Sequence, residues 1–156
     1  MLGVSHISSV DESVAMAATA ARRIALLLTV VTLLLVSLAP WGPIETRSFE
    51  HLSPVVYWGF NAFLILLGLG SFATAYRLWS GNTDALLVAV VAGVLYIAVY
   101  GLDLAGIFPT SPDAMPPLLF AIEVVDTALA VVLVVYSYWV WNRANPHRGR
   151  GETRTS

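Results

Sequence analysis

Four long apolar stretches separated by short polar segments dominate the pattern of hydrophobic positions along the chain. We place these stretches at residues 22–39, 55–77, 84–108 and 118–141. An α-helix needs about 20 predominantly apolar residues to cross the roughly 30 Å hydrocarbon core of a bilayer. The pattern therefore predicts an all-α fold, an integral membrane bundle of four transmembrane helices.

The segments between these stretches contain residues that end helices. Prolines are frequent in 40–54 and in 109–117, and a Ser-Gly-Asn-Thr-Asp sequence occupies 80–84. Proline cannot continue a helix, and Gly and Asn favour turns. We therefore expect antiparallel neighbours joined by three short connections.

We divide the chain into three parts. Residues 1–10 are mixed in character and are predicted to be a disordered N-terminus, and 11–142 form the four-helix transmembrane domain. The Arg-rich segment 143–156 has no hydrophobic face, so we predict a disordered cytoplasmic tail.

The first apolar stretch also fits a secretory signal peptide. Arg22 and Arg23 precede the aliphatic run, and Ser37-Leu38-Ala39 has the small residues of a cleavage site. A long preceding segment and a proline at position 40 favour an uncleaved span, which is the interpretation we adopt.

The composition agrees with a lipid environment. Hydrophobic residues make up 58% of the chain and charged residues 12%, whereas soluble domains have about 45–50% apolar residues. We therefore expect the lipid bilayer as the main partner. The absence of cysteine excludes disulfides, thiolate nucleophiles and cysteine-based metal sites. A formal net charge of −2 gives no electrostatic reason to expect nucleic acid.

The arginines predict the orientation in the cell membrane. Cytoplasmic loops carry an excess of Lys and Arg, and here only Arg47 lies on the side opposite to the termini. Both termini are therefore predicted to be cytoplasmic. The arginines on the cytoplasmic side would be Arg22, Arg23, Arg77, Arg143, Arg148, Arg150 and Arg154.

Three carboxylates, Asp103, Glu123 and Asp126, lie within the apolar stretches. A charge at the centre of a transmembrane helix costs about 2.5–3.5 kcal/mol on insertion scales. Such groups are expected to face the bundle interior, to pair, to bind something or to carry a proton. Glu123 and Asp126 are three residues apart and therefore share one helical face.

Further polar residues are expected at similar depths. Tyr96 and Tyr100 share a helical face with Asp103, and Asn61 and Glu123 each lie seven residues beyond a proline at a helix start. That distance corresponds to about 10 Å below the outer boundary. The candidate intramembrane polar cluster is Asn61, Tyr96, Tyr100, Asp103, Glu123 and Asp126.

Apart from Arg22, Arg23 and Arg77 near their ends, the four apolar stretches contain no cationic side chain to neutralise these acids. Arg47 and His51 of the outer loop could reach Asp103 but hardly Asp126. Carboxylates close together in a low dielectric cannot all ionise, so at least one is expected to hold a proton at neutral pH.

Three functions fit this pattern. We favour a small multi-pass membrane protein of structural or accessory role, in which the outer-half cluster forms interhelical hydrogen bonds. One alternative is a proton- or cation-handling transporter or channel subunit that uses Asp103, Glu123 and Asp126. The other alternative is a binder of a lipid, quinone or pigment. Glycines on the helix faces also allow a homo-oligomer or a larger membrane complex.

An enzymatic role has little support in the sequence. No nucleophile and base accompany the carboxylates, and His6, His51 and His147 all lie outside the spans, which excludes a haem held by two intramembrane histidines. The His-Glu-x-x-His and Glu-x-x-His motifs of metal sites are missing. We therefore predict no catalytic residues, no metal and no cofactor.

Overall fold

The computed structural model describes residues 4–145, with side chains from residue 15 onward. Four α-helices account for most of this part of the chain: α1 (Val4–Leu38), α2 (Pro54–Trp79), α3 (Ala85–Leu104) and α4 (Pro117–Ala144). By length and composition, each contains a segment apolar enough to cross a membrane. The predicted all-helical fold with four candidate spans is confirmed.

Helix α1 is the longest of the four helices, with 35 residues. It begins at Val4 and so includes most of the 1–10 segment that we expected to be disordered. Neither Gly nor Pro occurs between residues 4 and 39, so nothing in the backbone chemistry interrupts the helix. The predicted disordered tail begins at residue 143, but residues 143 and 144 belong to α4. The tail from residue 146 onward lies outside the described residues.

Helix α3 ends at Leu104, four residues before the end of the predicted 84–108 span. The reason is a Schellman motif centred on Gly106, which has a φ of 65°. The Ile107 N–H donates to the Leu102 carbonyl at 2.9 Å, and the Gly106 N–H donates to the Asp103 carbonyl at 2.8 Å. Asp103 consequently lies in the last turn of α3.

The helices form a ring in which α1 packs on α2 and α4, and α3 packs on the same two helices. The contact between α3 and α4 is the most extensive, and it depends on Gly93. A Cβ at this position would lie 2.6 Å from Val134 Cγ2 and 3.3 Å from the Ala130 carbonyl oxygen. We call the end with the α1–α2 and α3–α4 connections the loop end, and the other end the turn end.

The exterior of the bundle is apolar, unlike that of a water-soluble bundle. Large apolar residues face outward on every helix, for example Leu66 at 69% exposure and Val135 at 63%. Contiguous apolar exteriors mark contact with other proteins or with lipid, so the fold is compatible with a small membrane protein. The interior contains a core of apolar residues from all four helices. Among residues 15–145 it also contains eight buried polar residues: Thr32, Asn61, Ser71, Thr74, Asp103, Glu123, Asp126 and Ser137.

Candidate functional site

The candidate polar cluster lies inside the bundle. Helix α3 contributes three of its residues, α4 contributes two and α2 contributes one, and each is at most 8% exposed. Their helical spacing places the α3 and α4 members on faces that meet at the most extensive interface of the fold. The buried residues are Asn61, Tyr96, Tyr100, Asp103, Glu123 and Asp126.

Arg47 reaches the cluster from the α1–α2 loop. Its Nη1 donates to Asp103 Oδ1 at 2.9 Å and its Nη2 donates to Asp103 Oδ2 at 2.8 Å. The same guanidinium binds Glu45, with Nη2 2.6 Å from Oε2 and Nε 3.0 Å from Oε1. The expectation that Arg47 could reach Asp103 is confirmed, whereas sequence reasoning missed Glu45.

The three side chains of this ion-pair group are almost completely enclosed. The exposed fraction of the side chain alone is 5% for Arg47, 3% for Glu45 and 10% for Asp103. Burial by itself lowers the pKa of Arg47, but the hydrogen bonds and negative charges of Asp103 and Glu45 outweigh it and raise that pKa above its ordinary value. Arg47 therefore stays charged at every physiological pH.

The loop that carries Arg47 is attached to the loop before α4. The Ser48 N–H donates to Asp113 Oδ2 at 2.7 Å, and the Ser111 hydroxyl donates to the Ser48 carbonyl at 2.9 Å. His51, which we also expected near Asp103, has its Nε2 3.1 Å from the Thr110 hydroxyl instead. The two loops together cover the loop end of the polar cluster.

Below Arg47, Asp103 and Glu123 line the same small cavity. Glu123 is 2% exposed, and its Oε2 has no hydrogen-bond partner among the described residues. Burial without a partner disfavours an ionised carboxylate. Glu123 is therefore a place where a proton can be held.

The cavity that Asp103 and Glu123 line is small. The space open to the centre of a water molecule is about 20 Å³, which is enough for about one water. Its polar wall consists of Glu45, Tyr100, Asp103 and Glu123, and the remainder is apolar. Water at this point would contact three acidic side chains.

Asp126 lies deeper, one helical turn beyond Glu123, and is 0% exposed. Neither of its carboxyl oxygens has a partner in the described part of the chain. The Tyr100 hydroxyl is its neighbour but forms no hydrogen bond of ordinary geometry. A buried polar group left without a partner costs about 1–3 kcal/mol, and a charged one costs more, so an ionised Asp126 would destabilise this core.

Only one of the two polar side-chain atoms of Asn61 has a hydrogen-bond partner. Its Nδ2 donates to the Tyr57 carbonyl at 2.8 Å, while its Oδ1 has no partner among residues 15–145. A free amide oxygen can accept a hydrogen bond from a protonated acid or from a water molecule.

Tyr96 joins three helices and was predicted only as a member of the cluster. Its hydroxyl lies 3.0 Å from Thr32 Oγ1 on α1 and donates to Ser71 Oγ on α2 at 3.0 Å. Its ring stacks on Tyr100 with centroids 6.3 Å apart. Sequence reasoning missed Thr32 and Ser71, because hydroxyl residues are common in apolar helices and need no partner outside their own helix.

The polar column ends at Asp126. The next buried residues on this face of α4 are Ala130 and Leu133, both 0% exposed. Among the side chains of residues 15–145, no group of three or more His, Asp or Glu is arranged to hold a metal ion. The column thus runs from the loop end to the middle of the bundle.

Comparison with known proteins identifies one family. No curated protein and no solved structure matched the chain. Residues 20–154 match a family described as a domain of unknown function, DUF8051. Because this match covers most of the sequence, the chain belongs to the DUF8051 family.

Proposed function

We propose that the protein is a multi-pass protein of the cell membrane with both termini in the cytoplasm. The apolar exterior supports insertion, and the distribution of arginines supports the orientation. Arg22 of α1 lies over the ring of Trp79, the last residue of α2, 6.0 Å from its centroid, so Arg22 is at the turn end. The loop end, with Arg47, would face outward.

The native chain has no cysteine, which makes the orientation simple to test. Glu50→Cys places one thiol on the α1–α2 loop and Asp84→Cys places one at the turn end, both at exposed positions. A membrane-impermeant maleimide applied to intact cells should label only Glu50→Cys. Labelling of only Asp84→Cys would show the opposite orientation.

We further propose that the carboxyl column binds and releases protons through the loop end. The observation that supports this most is the burial of Glu123 and Asp126 with unpartnered carboxyl oxygens. Together with Glu45 and Asp103 they form a group of four acids, and the guanidinium of Arg47 supplies one positive charge to balance them. Protonation removes charge from groups that would otherwise be ionised in a low dielectric, and it needs no additional space.

The size and charge of the site favour a proton over the other candidates. Sites for drug-sized ligands are clefts of about 300–1,000 Å³, whereas this cavity accommodates about one water. A quinone or a pigment would not fit in this cavity. A cation would have to displace Arg47, which already binds Asp103 and Glu45.

Proton binding can be tested in liposomes with a pH-sensitive dye in the weakly buffered external solution, which the loop end would face. We expect the parent protein to take up protons after an external pH step, and the Glu123→Gln/Asp126→Asn variant to lose this uptake while remaining helical. Glu50→Gln and Asp84→Asn are matched controls because both side chains are exposed. Equal uptake by the parent and the double variant would contradict the proposal.

A structural or accessory role is the second candidate, and the contacts of Arg47 and Tyr96 favour it. Arg47 attaches a loop to α3, and Tyr96 connects α1, α2 and α3. Under this alternative the carboxyl column would hold the helices together without exchanging protons. Loss of folding in the Glu123 and Asp126 variants, with no proton uptake by the parent, would support it.

A further inference from the structure

We infer that the turn end of the bundle has two binding sites for the phosphate headgroups of anionic phospholipids, each formed by an arginine that lies over a tryptophan ring. One site is Arg22 with Trp79, and the other is Arg143 with Trp139. The inference rests on the proposed insertion into a membrane, but it depends neither on the proposed orientation nor on proton binding. Three features of the structure lead to it.

The first feature is the geometry of the two pairs. The guanidinium carbon of Arg143 lies 3.6 Å from the ring centroid of Trp139, four residues earlier on α4. That of Arg22 on α1 lies 6.0 Å from the ring centroid of Trp79, the last residue of α2. An aromatic face attracts the guanidinium that lies over it. The N–H donors lie in the plane of the guanidinium, so its edge stays free to bind two phosphate oxygens.

The second feature is the position of the two rings. Trp79 is 50% exposed and Trp139 is 48% exposed on the exterior of the bundle, and both lie near the ends of their helices, α2 and α4. Tryptophan is enriched at the boundary between the hydrocarbon core and the headgroups of a bilayer. Each ring is therefore expected at this boundary, where it holds its arginine at the depth of the lipid phosphates.

The third feature is the charge of the turn end. Its exposed arginines are Arg22, Arg23, Arg77 and Arg143. Asp84 is the only acid at this end among the side chains of residues 15–145. Within the same residues, only Arg47 forms an ion pair with a carboxylate. The turn-end arginines therefore have no carboxylate partner in the described part of the chain, and an anionic headgroup would supply the missing negative charge.

The loop end has the opposite charge. Arg47, its only arginine among the described residues, is 5% exposed and is bound by Glu45 and Asp103. Glu50 and Asp113 are exposed at the same end, so a lipid phosphate there would meet negative charge. Anionic lipid is therefore expected at the turn end alone. In the proposed orientation this end lies in the cytoplasmic leaflet, which contains the anionic lipids.

The lipid preference of the full-length protein tests the two sites. The protein in detergent micelles is mixed with equal amounts of dioleoyl phosphatidylglycerol and dioleoyl phosphatidylcholine, and native mass spectrometry measures the ratio of the two bound lipids. We expect the parent to retain phosphatidylglycerol in excess. The Arg22→Gln/Arg143→Gln variant should lose this excess.

A matched control is Arg23→Gln/Arg77→Gln, which removes the same charge from exposed positions at the same end. Neither of its arginines lies over a ring in the described part of the chain. The ratio of phosphatidylglycerol to phosphatidylcholine should fall at least tenfold further in Arg22→Gln/Arg143→Gln than in this control, which corresponds to about 1.4 kcal/mol. Equal falls in the two variants overturn the sites, because a diffuse attraction to the basic end would then explain all of the binding.

A parent without a preference for phosphatidylglycerol also overturns the sites. Trp139→Leu keeps all the arginines and removes the ring under Arg143, so its ratio should fall as well. An unchanged ratio in Trp139→Leu overturns the Arg143 site. The proposed insertion fails separately, if alkaline carbonate without detergent extracts the protein from membranes.

Discussion

Replacing Arg47 by Gln is the substitution from which we expect the largest loss of stability. The Arg47 side chain donates five hydrogen bonds to Glu45 and Asp103, and all three side chains are at most 10% exposed. Gln removes the charge and leaves two carboxylates buried. Breaking a buried ion pair by removing one partner costs about 3–5 kcal/mol, and we expect a decrease in the free energy of unfolding of this size.

A double-mutant cycle with Asp103 separates the pair from the rest of the network. In Asp103→Asn, Arg47 keeps Glu45, so the expected loss is smaller, about 1–3 kcal/mol. The double variant leaves only Glu45 without its cation. Its loss should therefore be smaller than the sum of the two single losses, with a coupling energy of about 1–3 kcal/mol.

The assay is reversible unfolding in mixed detergent micelles, followed by circular dichroism. Arg77→Gln is the matched control, because Arg77 is exposed and surface substitutions usually change stability by at most about 0.5 kcal/mol. If Arg47→Gln costs less than about 1 kcal/mol, or if the two single losses simply add, the buried ion pair does not hold the loop to α3 and our reasoning is refuted.

Three further predictions follow from the contacts. Gly93→Ala should lower the free energy of unfolding by about 1–3 kcal/mol, because its Cβ would meet Val134, Ala130 and Leu133. Gly68→Ala, whose Cβ would lie 3.9 Å from its nearest neighbour, should cost little in the same unfolding assay. Tyr96→Phe should cost about 1–2 kcal/mol through its two lost interhelical hydrogen bonds, and its proton uptake should equal that of the parent. The stability that Arg47 contributes should be constant between pH 7 and pH 10, measured by unfolding at each pH. The raised pKa keeps its folded form charged, and an unfolded arginine stays charged below about pH 12.

Much of the fold could be predicted from the sequence because bilayer-spanning helices need long apolar runs and proline or glycine ends them. The end of α3 could not be predicted, because the sequence does not show which of Gly101 and Gly106 ends the helix. Of these two glycines, only Gly106 adopts a positive φ. The helical start of α1 was missed because a mixed polar segment gave no periodic signal, although it has no helix breaker.

The membership of the polar cluster followed from helical spacing and from the cost of carboxylates in an apolar environment. The hydrogen-bond and ion-pair partners of these residues could not be predicted in this way. Arg47 and Asp103 are 56 residues apart, and their contact depends on the path of an irregular loop that no local pattern encodes. The same holds for Thr32 and Tyr96, 64 residues apart, because only the packed ring of helices brings them together.

The central claim is that buried acids of this bundle hold a proton in an interior made by neighbouring helices. The most direct test is the equilibrium infrared spectrum of the reconstituted protein at neutral pH. We predict a C=O band from a protonated carboxylic acid that is missing in Glu123→Gln and present in the Glu50→Gln control. A parent spectrum without a protonated carboxylic acid at neutral pH would contradict the account.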